Sequence, residues 1–342
     1  MAKLTIHDIA KMANVSPSTV SFVLNDRPGI CEETRRRVQN IIQQTGYTPN
    51  AHTRRLTLKR SFTIHVVMRQ FSYDLFNLFG MDVLMGIFSE GRKLGYDIIF
   101  TSIDYSVPNY ERSFYYVQET ISSNAVDGVV FIQCAEPSVI RLLQEREIPF
   151  LCVDSHVEKD GSIPLVEVDY YDAAYRATNY LIQCGHRDIG FIGANANNEY
   201  HRMTFGGFNA ALQDAGIPCH PEWVQTNSEV EHPTLSCMQN ILTCKHRPTA
   251  VMCAGDIFAI EAIKQAQRAG FSVPQDLSFM SIDDLVVSEF VNPPLSTMSL
   301  DKAQMGRLAM QILYAMIRKE PYEPINLVMT KPVIRDSVSI LK

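Results

Sequence analysis

The sequence predicts a chain of two unlike parts: an N-terminal all-α helix-turn-helix head, then an α/β body of two lobes with parallel sheets. Three observations carry this. Residues 1–60 hold ten Lys and Arg against four Asp and Glu, a net +6 in a chain whose total is −6. A basic head on an acidic body points to a nucleic-acid-binding head. Two short stretches of helical apolar spacing, separated by turn residues, fill residues 5–25. From residue 61 onward, short apolar runs alternate with amphipathic stretches, the pattern of parallel strands covered by helices.

Size and composition agree. The 342 residues exceed the about 250–300 at which single cores stop growing, so at least two units are expected. Hydrophobic residues make up 46% and charged residues 20%, ordinary for a chain that buries a sizeable core. No apolar run approaches the roughly 18 residues of a membrane helix. Lys3, His7 and Asp8 interrupt any apolar signal core near the start, so a cytoplasmic protein is expected. The eight cysteines form no C-x-x-C pair and no zinc-finger spacing,. Several, such as Cys152, lie in apolar runs and read as small buried hydrophobes in a reducing compartment. No metal, disulfide or cofactor is expected.

In the head, Thr5 suits an N-cap, with Asp8 three positions on,. Ile6, Ile9, Ala10 and Ala13 recur at helical spacing. Asn14 tolerates the left-handed conformation of a tight turn. Ser16 is a second N-cap candidate, and Pro17 fits a first helical turn, where its missing N–H costs little. Val20, Val23 and Leu24 face inward on this second helix, which Asn25 to Gly29 break. A third helix over Glu32–Thr45 has Val38, Ile41 and Ile42 as its stripe and Gly46 as its stop. Such a unit lays its second helix in a major groove; a plain three-helix bundle would not need the polar outer face and the positive charge.

The run from Thr5 through Thr19-Val20-Ser21-Phe22-Val23-Leu24-Asn25, with Thr34-Arg35 and Gly46-Tyr47-Thr48-Pro49-Asn50, resembles the head of the lactose-repressor/galactose-repressor (LacI/GalR) family of transcription regulators. The resemblance implies that Pro17, Ser18 and Phe22 face base edges, while Thr5, Ser16, Thr19, Ser21 and Asn25 mainly hold phosphates. Arg often stands in the family where this chain has Phe22. Phenylalanine offers only apolar contact, for example to a thymine methyl, or else partly buried packing.

Residues 49–60 are too short for a stable isolated helix. By resemblance they form a hinge helix on double-stranded, pseudo-palindromic operator DNA. Asn50 and Arg54 contact the DNA, Arg55 lies near phosphates, and Leu56 wedges into the minor groove to kink the duplex. Thr53 replaces the family's usual Ala. A flexible basic tether is the other reading.

In the body, strand candidates are 63–68, 97–102, 128–134, 150–154, 165–169, 188–194, 250–254 and 277–282, with a last one at 327–335. Helices are expected over 81–94, 171–184, 207–215 and 258–269. No G-x-G-x-x-G opens a helix after a strand, and no phosphate-binding G-x-x-x-x-G-K-[ST] occurs,. Gly95-Tyr96, Asp127-Gly128, Gly185-His186-Arg187-Asp188, Gly207-Phe208, Asp283-Asp284 and Pro293-Pro294-Leu295 resemble the family's periplasmic-binding-protein-like core. The domain plan is therefore a head over 1–48, a hinge over 49–60, and an effector-binding and dimerisation domain over 61–342. Within it, lobe one spans about 61–161 and 292–322, and lobe two about 162–291 and 323–342.

Ligands of open α/β sheets sit beyond strand C-termini. Asp154, Asp169 and Asp283 stand there and match family effector positions, suited to hydroxyl or amine donors. Each is equally of a type that caps the next helix. Asn77-Leu78-Phe79-Gly80 replaces the family's Asn-Pro-aromatic-aromatic motif, so Asn77 and Phe79 join the effector set, with Phe71, Tyr73 and Phe76 nearby. Thr204 stands where the family commonly has a ligand-clamping Arg, and Arg202 lies two residues earlier. Gly255 replaces a common Asn. A sugar or sugar derivative is the first expectation for the effector, and a purine-like or other polar metabolite the competitor. No G-x-S-x-G or H-E-x-x-H occurs,. Paired carboxylates in a cleft leave a carbohydrate-processing enzyme as the rival class, and a transport-binding protein as a third. A homodimer without membrane contact is expected, and no leucine heptads follow the last strand candidate to suggest a tetramer.

Overall fold

A computed structural model describes residues 4–24, 28–47, 60–70, 77–105, 107–157, 160–196, 198–226 and 234–341. Asn25, Asn50, Thr53, Arg54, Arg55 and Leu56, and the aromatics Phe71, Tyr73 and Phe76, lie outside the described residues. The chain divides into two compact units, Met1–Ser61 and Phe62–Lys342.

The first unit holds α1 (Ile6–Ala13), α2 (Pro17–Leu24) and α3 (Glu32–Thr45). Thr5 and Asp8 close a reciprocal capping box. Asp8 N donates to Thr5 Oγ1 at 3.4 Å and Thr5 N donates to Asp8 Oδ2 at 2.8 Å, so two otherwise unpaired helix-end donors are satisfied. Asn14 ends α1 in the left-handed region at φ 50°, and Gly46 ends α3 at φ 62°. Thr19 N donates to Ser16 Oγ at 3.1 Å at the start of α2. Ile9, Ala10, Ala13, Val20, Val23 and Val38 make one small core, which fixes the polar side of α2 outward.

The second unit carries two six-stranded sheets. The first sheet comprises β1 (Thr63–Gln70), β2 (Asp97–Asp104), β3 (Gly128–Ile132), β4 (Phe150–Val153), β5 (Leu165–Val168) and β11 (Ile325–Val328), in the order β11-β5-β4-β3-β1-β2, all parallel. The second comprises β6 (Ile189–Gly193), β7 (Val224–Thr226), β8 (Ala250–Cys253), β9 (Ser278–Asp283), β10 (Ser296–Ser299) and β12 (Lys331–Val333), in the order β12-β10-β9-β8-β6-β7. It is parallel except for β12, which runs against β10. Central strands such as Gly128–Ile132 and Ala250–Cys253 are buried at every residue, because helices cover both faces.

The helices are α4 (Leu78–Lys93), α5 (Glu111–Ser122), α6 (Pro137–Glu145), α7 (Tyr170–Gln183), α8 (Glu199–Asp214), α9 (Leu235–Thr243), α10 (Asp256–Arg268) and α11 (Lys302–Arg318). Two glycines let α4 and α11 meet at backbone distance. A Cβ on Gly86 would clash with the carbonyl oxygen of Ala303, and one on Gly306 with that of Val83. Gly207 of α8 plays the same part against the carbonyl of Tyr171 in α7.

The lobe boundaries differ from those expected. Leu165–Val168 pairs with β4 and β11 and so belongs to the first lobe; the chain crosses at Asp169. Ser296–Ser299 pairs with β9 in the second sheet, not the first. The expected last strand is two, with Ile325–Val328 in the first sheet and Lys331–Val333 in the second. A short, fully buried run looks alike in either sheet, and only its hydrogen-bonded neighbour decides which one it joins.

Candidate functional site

The outward side of α2 is the first candidate surface. Pro17, Ser18 and Ser21 lie on or near it, and Phe22 keeps 37% of its surface exposed. The hydroxyls of Ser16 and Thr19, at the start of the same helix, lie 2.9 Å apart. Thr5 is occupied in capping α1, although its place at the helix N-terminus leaves it beside N–H groups that favour an anion.

The second candidate is the cleft between the sheets. Asp154 follows β4 at φ 50°, and Asp283 ends β9 at φ 120°. Non-glycine residues held in this region are strained and concentrate at binding sites. A buried relay supports Asp154 from the first lobe. Asn77 Nδ2 donates to Arg69 O at 2.6 Å and to Gln133 Oε1 at 2.8 Å, and Gln133 Nε2 donates to Asp154 Oδ2 at 2.9 Å. Asn77 Oδ1 accepts from Gly80 N at 2.9 Å, so Asn77 caps α4 and orients Gln133.

From the second lobe, Tyr170 and Tyr200 meet edge to face with ring centroids 4.6 Å apart. His156, on the loop after β4, lies 5.8 Å from Tyr170 and 5.7 Å from Tyr200. These three rings close the cleft across both lobes. The Tyr200 hydroxyl donates to Ala254 O. A Cβ at Gly255 would stand 3.3 Å from Asp283 Oδ2, a tight approach, and 3.6 Å from that hydroxyl, an ordinary contact.

Beneath them Asp256, fully buried, accepts from Ser281 Oγ and Ser288 Oγ at 2.5 Å, Thr297 Oγ1 at 2.6 Å and Leu285 N at 2.8 Å. Its desolvation still outweighs these four bonds and raises its pKa. The Asp283 carboxyl is pushed well above the usual carboxylate range, first by desolvation, then by the charge of Asp256; Asp154 adds to this and Lys302 opposes it. Tyr170 is raised by burial and then by Asp154 and Asp283. Lys302 Nζ donates to Asp283 O at 2.5 Å and to Asp284 O at 3.1 Å, and Arg335 pairs with Asp284 at 2.7 Å.

Of the expected effector residues, Asp154 and Asp283 meet in the cleft. Asp169 accepts from Asp172 N at 3.0 Å and caps α7. Phe79 is buried in the main core and offers no stacking face, because α4 turns its ring inward. Thr204 donates back to Tyr200 O at 2.9 Å. Arg202 is exposed and pairs with Glu199 on the same helix. Gln133, His156, Tyr170, Tyr200 and Lys302 were not singled out from the sequence. Gln133 alone left a signal there, as a polar residue inside the apolar run 128–134.

Residues 5–50 match the family described as Bacterial regulatory proteins, lacI family, and residues 178–338 match the Periplasmic binding protein-like domain. The chain is similar to the ribose operon repressor of Haemophilus influenzae, 31% identical with 99% of each chain covered. It is also similar to the HTH-type transcriptional repressor PurR of Pasteurella multocida, 29% identical with 98% of each covered. Among solved structures it shares the fold of the lac repressor dimer bound to operator and the anti-inducer ONPF. There the TM-score is 0.76 and the identity 20%, covering 99% of this chain and 100% of that one.

Proposed function

The chain belongs to the lacI family of bacterial regulatory proteins, and from that premise we propose a homodimeric transcriptional repressor that acts on DNA in the cytoplasm. The single observation that carries the reading is the pairing, in one chain, of a basic helix-turn-helix head with a cleft where strand-end carboxylates from two sheets converge. The head reads a half-site through Pro17, Ser18 and Phe22. Thr5, Ser16, Thr19, Ser21, Asn25 and Asn50 hold the backbone. The hinge over 49–60, with Arg54 and Leu56, orders on a pseudo-palindromic operator. A small molecule between Asp154 and Asp283 sets the hinge spacing across the dimer, so that cleft closure changes operator affinity. A sugar or sugar derivative is the first effector class to test, and a purine-like or other polar metabolite the second.

Two exposed apolar features support the dimer. Met81, Met85 and Phe88 form a stripe along α4, and Val286 and Phe290 stand out from the second lobe, with Phe290 79% exposed. Side chains of this size are seldom left in water in clusters. We read the cleft as binding and not catalytic: Gln133 holds one oxygen of Asp154, and the Tyr200 hydroxyl is given to the backbone carbonyl of Ala254.

The test is selection of duplex DNA from a random pool on the full-length protein. A palindromic consensus bound with salt-dependent affinity, at least about a thousandfold tighter than unrelated duplex, is expected. Enrichment of no sequence would end this reading. Leu56→Ala should then weaken consensus binding far more than non-specific binding; equal losses would remove the minor-groove wedge.

A further inference from the structure

The cleft gathers carboxyl groups in a buried setting that opposes their ionisation. This deepens the effector-site reading and rests on it. The charges of Asp256 and Asp154 both act on the Asp283 carboxyl there. Asp256 is fully supplied, with four donors. Asp284 is matched by Arg335. Lys302 directs its ammonium to the carbonyl oxygens of Asp283 and Asp284, not to a carboxylate oxygen.

Asp154 is different. It is 2% exposed; Gln133 supplies one of its oxygens, and the other, Oδ1, is buried with no hydrogen-bond partner. His156 Nδ1, two residues on and against the same rings, is likewise buried and unpartnered. An unpaired buried carboxylate oxygen is costly in a low dielectric, and native proteins keep one where something else completes it. The relay from Asn77 through Gln133 holds the Asp154 carboxylate in place through Oδ2.

We propose that the effector is an ammonium-bearing polyhydroxyl compound of the amino-sugar class, its charged amine seated between Asp154 and Asp283 and its hydroxyls and ring against His156, Tyr170 and Tyr200. A neutral polyol supplies donors but no positive charge to favour the ionised carboxylates. A phosphorylated or carboxylated ligand brings like charge to two carboxylates. The two places where a guanidinium would welcome an anion do not provide one: Thr204 is tied to its own helix, and Arg202 faces solvent with Glu199. Tyrosine rings around the gap favour a cation further through their π faces.

The test uses full-length protein, with glucosamine, galactosamine and mannosamine set against the matching neutral hexoses and hexose 6-phosphates, read by calorimetry and thermal unfolding. At least one amino sugar is expected to bind tenfold or more tighter than its neutral counterpart, with no binding of the phosphates. Asp154→Asn, which keeps an acceptor for Gln133, should bring that ratio close to one. Asp283→Asn is the second variant if the first does not fold, with the same loss expected. Failure of all three amines to bind, or equal or tighter binding of a neutral or phosphorylated sugar, overturns the assignment, as does an unchanged ratio in the variant. Operator binding is followed in the same preparations. A protein that holds its operator and responds to a neutral sugar remains an effector-controlled regulator and loses only the amine; one that holds no operator loses the broader reading.

Discussion

Replacing Asp256 with Ala should be among the most damaging single changes in the second unit. The carboxylate joins three segments of chain through four donors: Ser281 on β9, Leu285 and Ser288 on the following turn, and Thr297 on β10. Ser281, Ser288 and Thr297 are fully buried, so each hydroxyl would lose its acceptor away from water. A hydrogen bond to a charged group contributes about 1.5–3 kcal/mol. Four bonds to one carboxylate are not additive, and the truncation also removes the desolvation that raises the Asp256 pKa. The net loss should therefore match that of breaking a buried polar network, about 3–5 kcal/mol. For a unit of this size that corresponds to a fall of about 6–10 °C in unfolding midpoint, measured by differential scanning calorimetry on the ligand-free protein. A loss below about 1 kcal/mol would refute the reasoning, since it would mean that the hydroxyls find other partners and that Asp256 does not hold the turn over 285–288 in place.

Asp283 gives a pH prediction with an unusual sign. Its folded pKa lies above the unfolded value, so its contribution to stability is present below the unfolded pKa and is lost as pH rises through the raised folded one. The ligand-free protein should gain stability from this group as pH falls from neutral towards that range, and Asp283→Asn should flatten the gain and raise the midpoint at pH 7; a steeper dependence in the variant would contradict the assignment. Gly86→Ala and Gly306→Ala each drive a methyl into a facing carbonyl between α4 and α11. Overpacking of this kind costs about 1–3 kcal/mol or more, so urea midpoints should fall in both, and an unchanged midpoint would show that the helices can part freely. Phe22→Arg converts an exposed apolar side chain on α2 into one that can bind guanine bidentately. Operator selection with the variant should gain a guanine at one position per half-site, worth about 1–3 kcal/mol of discrimination; an unaltered consensus would place residue 22 away from the bases.

The head was legible because its determinants are local. Thr5, Asn14, Ser16 and Gly46 act within four residues of themselves, and each took the cap or turn that its chemistry indicated. The body was legible as a class, since buried strands and amphipathic helices leave separate periodicities. Sheet membership was not, as Leu165–Val168 and Ser296–Ser299 show: their partners, Ile325–Val328 and Ser278–Asp283, are decided by pairing across the fold. The site divides the same way. Asp154 and Asp283 were visible as strand-end carboxylates matching a known pattern. Asp169 shares that position, yet its oxygen is taken by the first turn of α7. His156, Tyr170 and Tyr200 converge from three segments, and no spacing in the sequence encodes the crossing of lobes that brings their rings together.

The unfavourable features of the cleft are what give a ligand leverage over the fold. A small molecule shifts a conformational equilibrium only by the difference in its affinity for the two states. With the rings of His156, Tyr170 and Tyr200 drawn together across the lobes, the closed arrangement buries Asp154 Oδ1 without a donor and crowds Asp283 against other carboxyl groups. Opening the lobes would return both groups to water, so closure without ligand is opposed by the same atoms that a ligand would satisfy. A guest that supplies donors and positive charge removes the opposition only in the closed state, and its binding energy is then spent on closure. Replacing Asp154 by a self-satisfied apolar residue would make closure easier and the ligand less able to command it.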